Sequence, residues 1–226
     1  MQYIRTIACF VGLLFLTACA GWQEPKSLTT NNLMVTAAQT IERFRQHEKL
    51  KGFSDMLPSA RAVVILPTVI KAGFFGGGEA GNGVLLRRAD DGSWSYPAFY
   101  TLGAASFGLQ FGVQDTAIVL IVRSEGALQS ILKHQGKIGA DTGASVGGVG
   151  VGLEASVTTN LGADIVAFAS SNIGAYLGAS LEGAVLATRR DLNEAFYGEG
   201  ATPEAIIAGS LKNPEADSLR QVLASK

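Results

Sequence analysis

Apolar residues recur at three- and four-residue intervals early in the chain: Met34, Ala37, Ile41 and Phe44 share one helical face, and Glu42, Arg43, Gln46 and Lys49 fall opposite. That period predicts an amphipathic helix over residues 33–50, with Thr30, Asn31 and Asn32 offering N-caps and Gly52 and Pro58 closing the unit. The run 61–66 (RAVVIL) is short and β-branched, as a buried strand requires. From Gly73 the pattern changes to short apolar runs separated by glycine and turn residues. It predicts strands at 83–88, 93–100, 104–111, 116–122, 143–156, 165–170, 175–180 and 184–188, with a hairpin turn at Asp90-Asp91-Gly92. A short helix follows Ser124-Glu125-Gly126 and runs to about His134. Helical spacing returns at 191–197, 203–209 and 215–224.

These strands are not separated by crossover helices, which excludes a doubly wound parallel sheet. The expectation is an α+β fold. A strongly curved, glycine-rich antiparallel β-sheet, barrel- or sandwich-like, is flanked by the N-terminal amphipathic helix and the C-terminal helices. No repeat of fixed period interrupts it.

The first residues follow a different logic. Arg5 is the single charge before an uncharged stretch at 7–16. That length suits a signal peptide and is too short for a membrane span, which needs about 20 apolar residues. Leu16-Thr17-Ala18-Cys19 has the form of a lipobox, in which the small Ala18 fits the peptidase and the Cys19 thiol takes up diacylglycerol. The expected organisation is a signal peptide at 1–18, a lipidated tether at 19–31, and one domain at 32–226. Cys9 leaves with the signal, so the mature chain has no second cysteine for a disulfide or a thiolate metal site. Such a chain is expected in the bacterial cell envelope, lipid-anchored. Ala20 after the cysteine favours the outer membrane, with the domain facing the periplasm or the surface.

Charge adds a modest refinement. The formal net charge is −1. Residues 19–140 hold 12 Lys and Arg against 9 Asp and Glu, and residues 141–226 hold 5 against 10. This asymmetry is far below the basic field of a nucleic-acid protein. It leaves a candidate cationic patch of Arg43, Arg45, Lys49, Lys51, Arg61 and Lys71, suited to anionic head groups. A solvated helix face is the plainer account of the same residues.

Motifs for catalysis do not assemble. Gly143-Ala144-Ser145-Val146-Gly147 matches the nucleophile elbow, but the elbow needs a helix after the serine and a later histidine, and no histidine follows His134. Gly150-Val151-Gly152-Leu153-Glu154-Ala155 matches a dinucleotide fingerprint, yet the residues that follow are β-prone. His47 and His134 lie apart from any metal-type cluster, and Asp90-Asp91 is accounted for by its turn. The glycine-dense stretch between Asp141 and Glu154 has 12 uncharged residues, too few to span a bilayer as a helix. No cofactor and no catalytic residue is expected.

Several blocks, in order, resemble one family. Lys71-Ala72-Gly73-Phe74-Phe75-Gly76-Gly77-Gly78 with Gly81-Asn82-Gly83-Val84-Leu85 is similar to the glycine-rich signature of the SYLF lipid-binding domain. Trp94-Ser95-Tyr96-Pro97 and Phe107-Gly108-Leu109-Gln110-Phe111-Gly112 resemble its next strands. Gly139-Ala140-Asp141, the run 175–184 and Phe196-Tyr197-Gly198 resemble later blocks. The resemblance covers about residues 32–209. It implies a standalone, non-catalytic lipid-binding domain whose amphipathic helix is 33–50. Eukaryotic relatives are associated with phosphoinositides and actin, though actin is not the expected partner of a chain with this export signal. The expected partners are membrane lipid and the chain's own lipid anchor. An enzyme acting on an envelope lipid or polymer, or a structural envelope protein, would be the alternatives.

Overall fold

The computed structural model describes residues 24–73, 76–107, 112–133, 146–150, 163–170 and 184–225. Cys19 and the expected strand at 175–180 lie outside the described residues, as do Ser145 and His134.

Helix α1 spans Lys26–Gln46. It starts earlier than the cap pattern predicts because Pro25, with φ −51°, stands at its N-cap and needs no intrahelical donor. The expected caps fall inside the helix, where Thr30 Oγ1 donates back to the Ser27 carbonyl at 2.9 Å. After α1 come a short 3₁₀ turn (Glu48–Leu50), helix α2 (Lys51–Met56) and a second 3₁₀ turn (Leu57–Ser59). His47 Nδ1 accepts from the Lys49 N–H at 3.3 Å, so this histidine is a local cap.

The strands are β1 (Ala62–Gly73), β2 (Gly76–Arg87), β3 (Ala98–Phe107), β4 (Gly112–Val122), β5 (Val146–Gly150), β6 (Ile165–Ala169) and β7 (Val185–Thr188). Helix α3 (Glu125–Lys133) follows β4. Helices α4 (Arg190–Tyr197), α5 (Pro203–Ile207) and α6 (Asp217–Ala224) follow β7. Among the described residues the strands form one sheet in the order β5-β6-β4-β1-β2-β3-β7, open at both edges. The α+β class is as expected, and the sheet is not closed into a barrel. The expected strand 93–100 begins later, at Ala98, and Trp94 contributes a single bridge to Arg88. One pairing departs from the antiparallel expectation, since β5 runs parallel to β6.

The centre of the sheet is covered on both faces. Residues 62–66 of β1 are fully buried, which explains an unbroken apolar run where alternation would mark a half-exposed strand. Val64, Leu66, Tyr100 and Leu120 pack with α3 and α5 on one face. On the other, Val63, Ile65, Phe99 and Val119 pack with α1, α2, α4 and α6. Phe44, Phe53 and Phe168 link α1, α2 and β6 through two edge-on contacts at 5.6 and 5.5 Å.

Candidate functional site

The two faces of α1 have different tasks. Met34, Ala37, Ile41 and Phe44 are at most 3% exposed and belong to the core. The face that sequence periodicity marks as apolar is therefore closed to a membrane in this fold. The outward stripe carries Leu28 and Val35, 50% and 56% exposed, and their seven-residue spacing puts them on the same side. Two turns beyond Val35 and to one side of that stripe, the Arg43 guanidinium donates to Thr40 Oγ1 at 3.2 Å. It borders a shallow cleft shared with Gln39, Glu42, Pro67 and Thr68.

The six candidate cations separate into two groups. Arg43, Lys49 and Lys51 are exposed and form no ion pair among the described residues. Arg61 pairs with Asp90 at 3.4 Å across solvent. Lys71 meets Glu79 at 2.8 Å across β1 and β2, with both side chains largely buried. Arg45 turns toward α6, donating to the carbonyls of Val222 and Leu223 (3.1 Å for Leu223) and to Ser225 Oγ at 2.8 Å. Burial lowers its pKa and the nearby Glu42 opposes that shift. A guanidinium on the last carbonyls of a helix also complements its dipole. The three outward cations thus stand among Glu42, Glu48 and Asp55, and the local charge is near balance.

A cavity of about 500 Å³ opens beside Arg45. Arg88, Ser54 and Ser225 bring polar groups to it, and Leu57, Trp94 and Leu223 line it with apolar surface. Arg88 reaches it from the end of β2 and donates to the Pro58 carbonyl. The acids of the neighbouring turn are directed elsewhere: Asp90 to Arg61, and Asp91 to the N–H and hydroxyl of Ser93 at 2.9 and 2.6 Å. Those bonds hold the Asp91 carboxyl below the usual range. Sequence reasoning missed Arg88 and gave Trp94 only as part of a family block, because neither belongs to a periodic face; the bend at Asp90-Asp91-Gly92, where Gly92 has φ +85°, brings them together.

Ser145 of the first glycine motif and residues 151–155 of the second lie outside the described residues. Strand β5 starts directly after Ser145, where a nucleophile elbow would need a helix. Among the described residues no group of three His, Cys, Asp or Glu could hold a metal ion, and no helix is long and apolar enough to cross a membrane.

Residues 103–226 match the family described as Las17-binding protein actin regulator, Ysc84. Over 210 residues the chain is 33% identical to protein YSC84 of Saccharomyces cerevisiae, covering 89% of this chain and 44% of that protein. It is 35% identical over 214 residues to an SH3 domain-containing protein of Schizosaccharomyces pombe, with 91% and 50% covered. It is 28% identical over 196 residues to human SH3 domain-containing YSC84-like protein 1, with 84% and 57% covered. The chain therefore spans about half the length of these relatives.

Proposed function

The chain belongs to the Ysc84 family, the family that its glycine-rich SYLF blocks resemble, and from that premise we propose that it is a non-catalytic binding module for lipid surfaces. The observation that carries this reading is the exposed pair Leu28 and Val35 on the outer stripe of α1, a helix whose other face is buried, with Arg43 exposed two turns further along it. Two apolar side chains with cations nearby suit shallow insertion among anionic head groups, at about 1 kcal/mol for each Lys or Arg at the surface. Cys19 would hold the module at an envelope membrane, most readily the outer one. Protein partners of the kind named for the yeast relatives are a second route of binding; the sequence identity to them favours it, but the export signal does not place the chain beside Las17.

Co-sedimentation of the Trp22–Lys226 fragment with vesicles tests the reading. Changing Leu28 and Val35 to Ser should weaken binding to anionic vesicles several-fold. Reversing Arg43, Lys49 and Lys51 to Glu turns a balanced surface acidic and should abolish binding to anionic vesicles, with little effect on neutral ones. All five positions are exposed, so the fold should survive. Parent-like binding by both folded variants would remove α1 from the lipid site.

A further inference from the structure

We propose that the cavity between Arg45 and Arg88 is a binding site for a phosphate monoester group. Four observations carry it. The first is chemistry: two guanidinium groups and the Ser54 hydroxyl line the cavity, the Ser225 hydroxyl donates to the Val222 carbonyl, and none of the lining residues is an acid. The second is unused donor capacity. A guanidinium has five N–H donors; among the described residues the Arg88 side chain makes one hydrogen bond, to Pro58, and Arg45 makes three, to Val222, Leu223 and Ser225. The third is pre-organisation, because three bonds hold the Arg45 plane before a ligand arrives, and a fixed fork matches an oxyanion bidentately. The fourth is size and lining: about 500 Å³ with Leu57, Trp94 and Leu223 as its apolar part falls in the range of small-ligand sites. A bare anion would leave that apolar surface without a partner. The group that fits is a phosphate on a small organic scaffold, supplied by a lipid head group or by a soluble phosphoester.

This proposal does not depend on the outer face of α1, and the experiment separates the two. The full chain is held in neutral detergent micelles with Trp22→Phe, so that Trp94 is the sole tryptophan and reports from the cavity wall. One arm titrates glycerol 3-phosphate; the other titrates dioleoyl phosphatidic acid into the micelles against phosphatidylcholine. A saturable change in Trp94 emission is expected in at least one arm. A response to both probes, or to glycerol 3-phosphate alone, assigns a soluble source, and a response to phosphatidic acid alone assigns a membrane source. Arg88→Gln should weaken the response about tenfold or more through loss of charge-assisted bonds. Ser54→Phe, at an exposed position on the cavity wall, should block it without touching either arginine. Reversal of Arg43, Lys49 and Lys51 should leave the glycerol 3-phosphate response in place. No saturable change in either arm overturns the proposal, as does an undiminished response in folded Ser54→Phe.

Discussion

Two buried polar side chains on β3 and α4 show how the same cost can have opposite consequences. The Tyr100 ring is fully enclosed, and its hydroxyl has no hydrogen-bond partner among the described residues, although Thr188 lies opposite it in register. Burial pushes this phenol up to about 12, and burial also raises Tyr197. Tyr100→Phe removes the orphaned oxygen while keeping the ring. It should be neutral or stabilising by up to about 1 kcal/mol in a urea titration. Because the folded-state value is raised, the native protein keeps a proton that the unfolded chain releases near pH 10. The Tyr100 contribution is complete below pH 10 and is lost as pH rises toward 12. Alkaline unfolding should therefore shift to higher pH in Tyr100→Phe, and an unchanged midpoint would contradict this burial. Asn193 is the reverse case. Its Oδ1 accepts from the Phe99 N–H at 2.8 Å and its Nδ2 donates to the Phe99 carbonyl at 3.3 Å, completing β3 where β7 has ended. Asn193→Ala orphans a buried N–H and should cost about 1–3 kcal/mol, read from the same titrations.

At the scale of elements, the bend in β1 governs the sheet. Residues 67–68 of β1 stand against Ala117 alone in β4, a bulge that places Pro67 where no ladder donor is needed. The carbonyls of Ile65 and Thr68 then approach β2 so closely that a Cβ at Gly83 or Gly81 would collide with them. Gly81→Ala or Gly83→Ala should destabilise by about 2–4 kcal/mol in thermal melts, whereas Gly103→Ala, with open space around it, should change little. This bulge also marks where sequence reading stopped short. Pro67 reads as the end of the run 61–66, so the extension of β1 to Gly73 was not legible. Helix α1 was legible because one face is buried along its length and periodicity records that directly. The parallel β5–β6 pair was not, since alternation reports burial and says nothing of a strand's partner. Arg45 failed for the same reason. It looks like a surface cation on its helix, and only the arrival of α6 from 177 residues away turns it inward.

For the whole molecule, the early start of α1 changes how an anchored chain could sit. If Cys19 carries lipid, residues 20–25 are all that separate it from α1, a reach of about 20 Å at full extension. A tether extending to residue 31 would have allowed the domain to move well away from the bilayer; the shorter link holds the start of α1 against it. Leu28 and Val35 then lie on the part of the domain closest to the anchor, and surface insertion would follow anchoring with little further loss of freedom. Two measurements test this arrangement together. Cys19→Ser should abolish palmitate labelling and leave the precursor unprocessed; normal processing would remove the anchor from the account. In the lipidated parent, a fluorophore at position 35 should be quenched strongly by bilayer-embedded quenchers, while one at exposed Gly126 of α3, on the sheet face opposite α1, should be quenched weakly. Equal quenching at both positions would mean that the domain tumbles freely on its link, and the stripe on α1 would then have no privileged contact with the membrane.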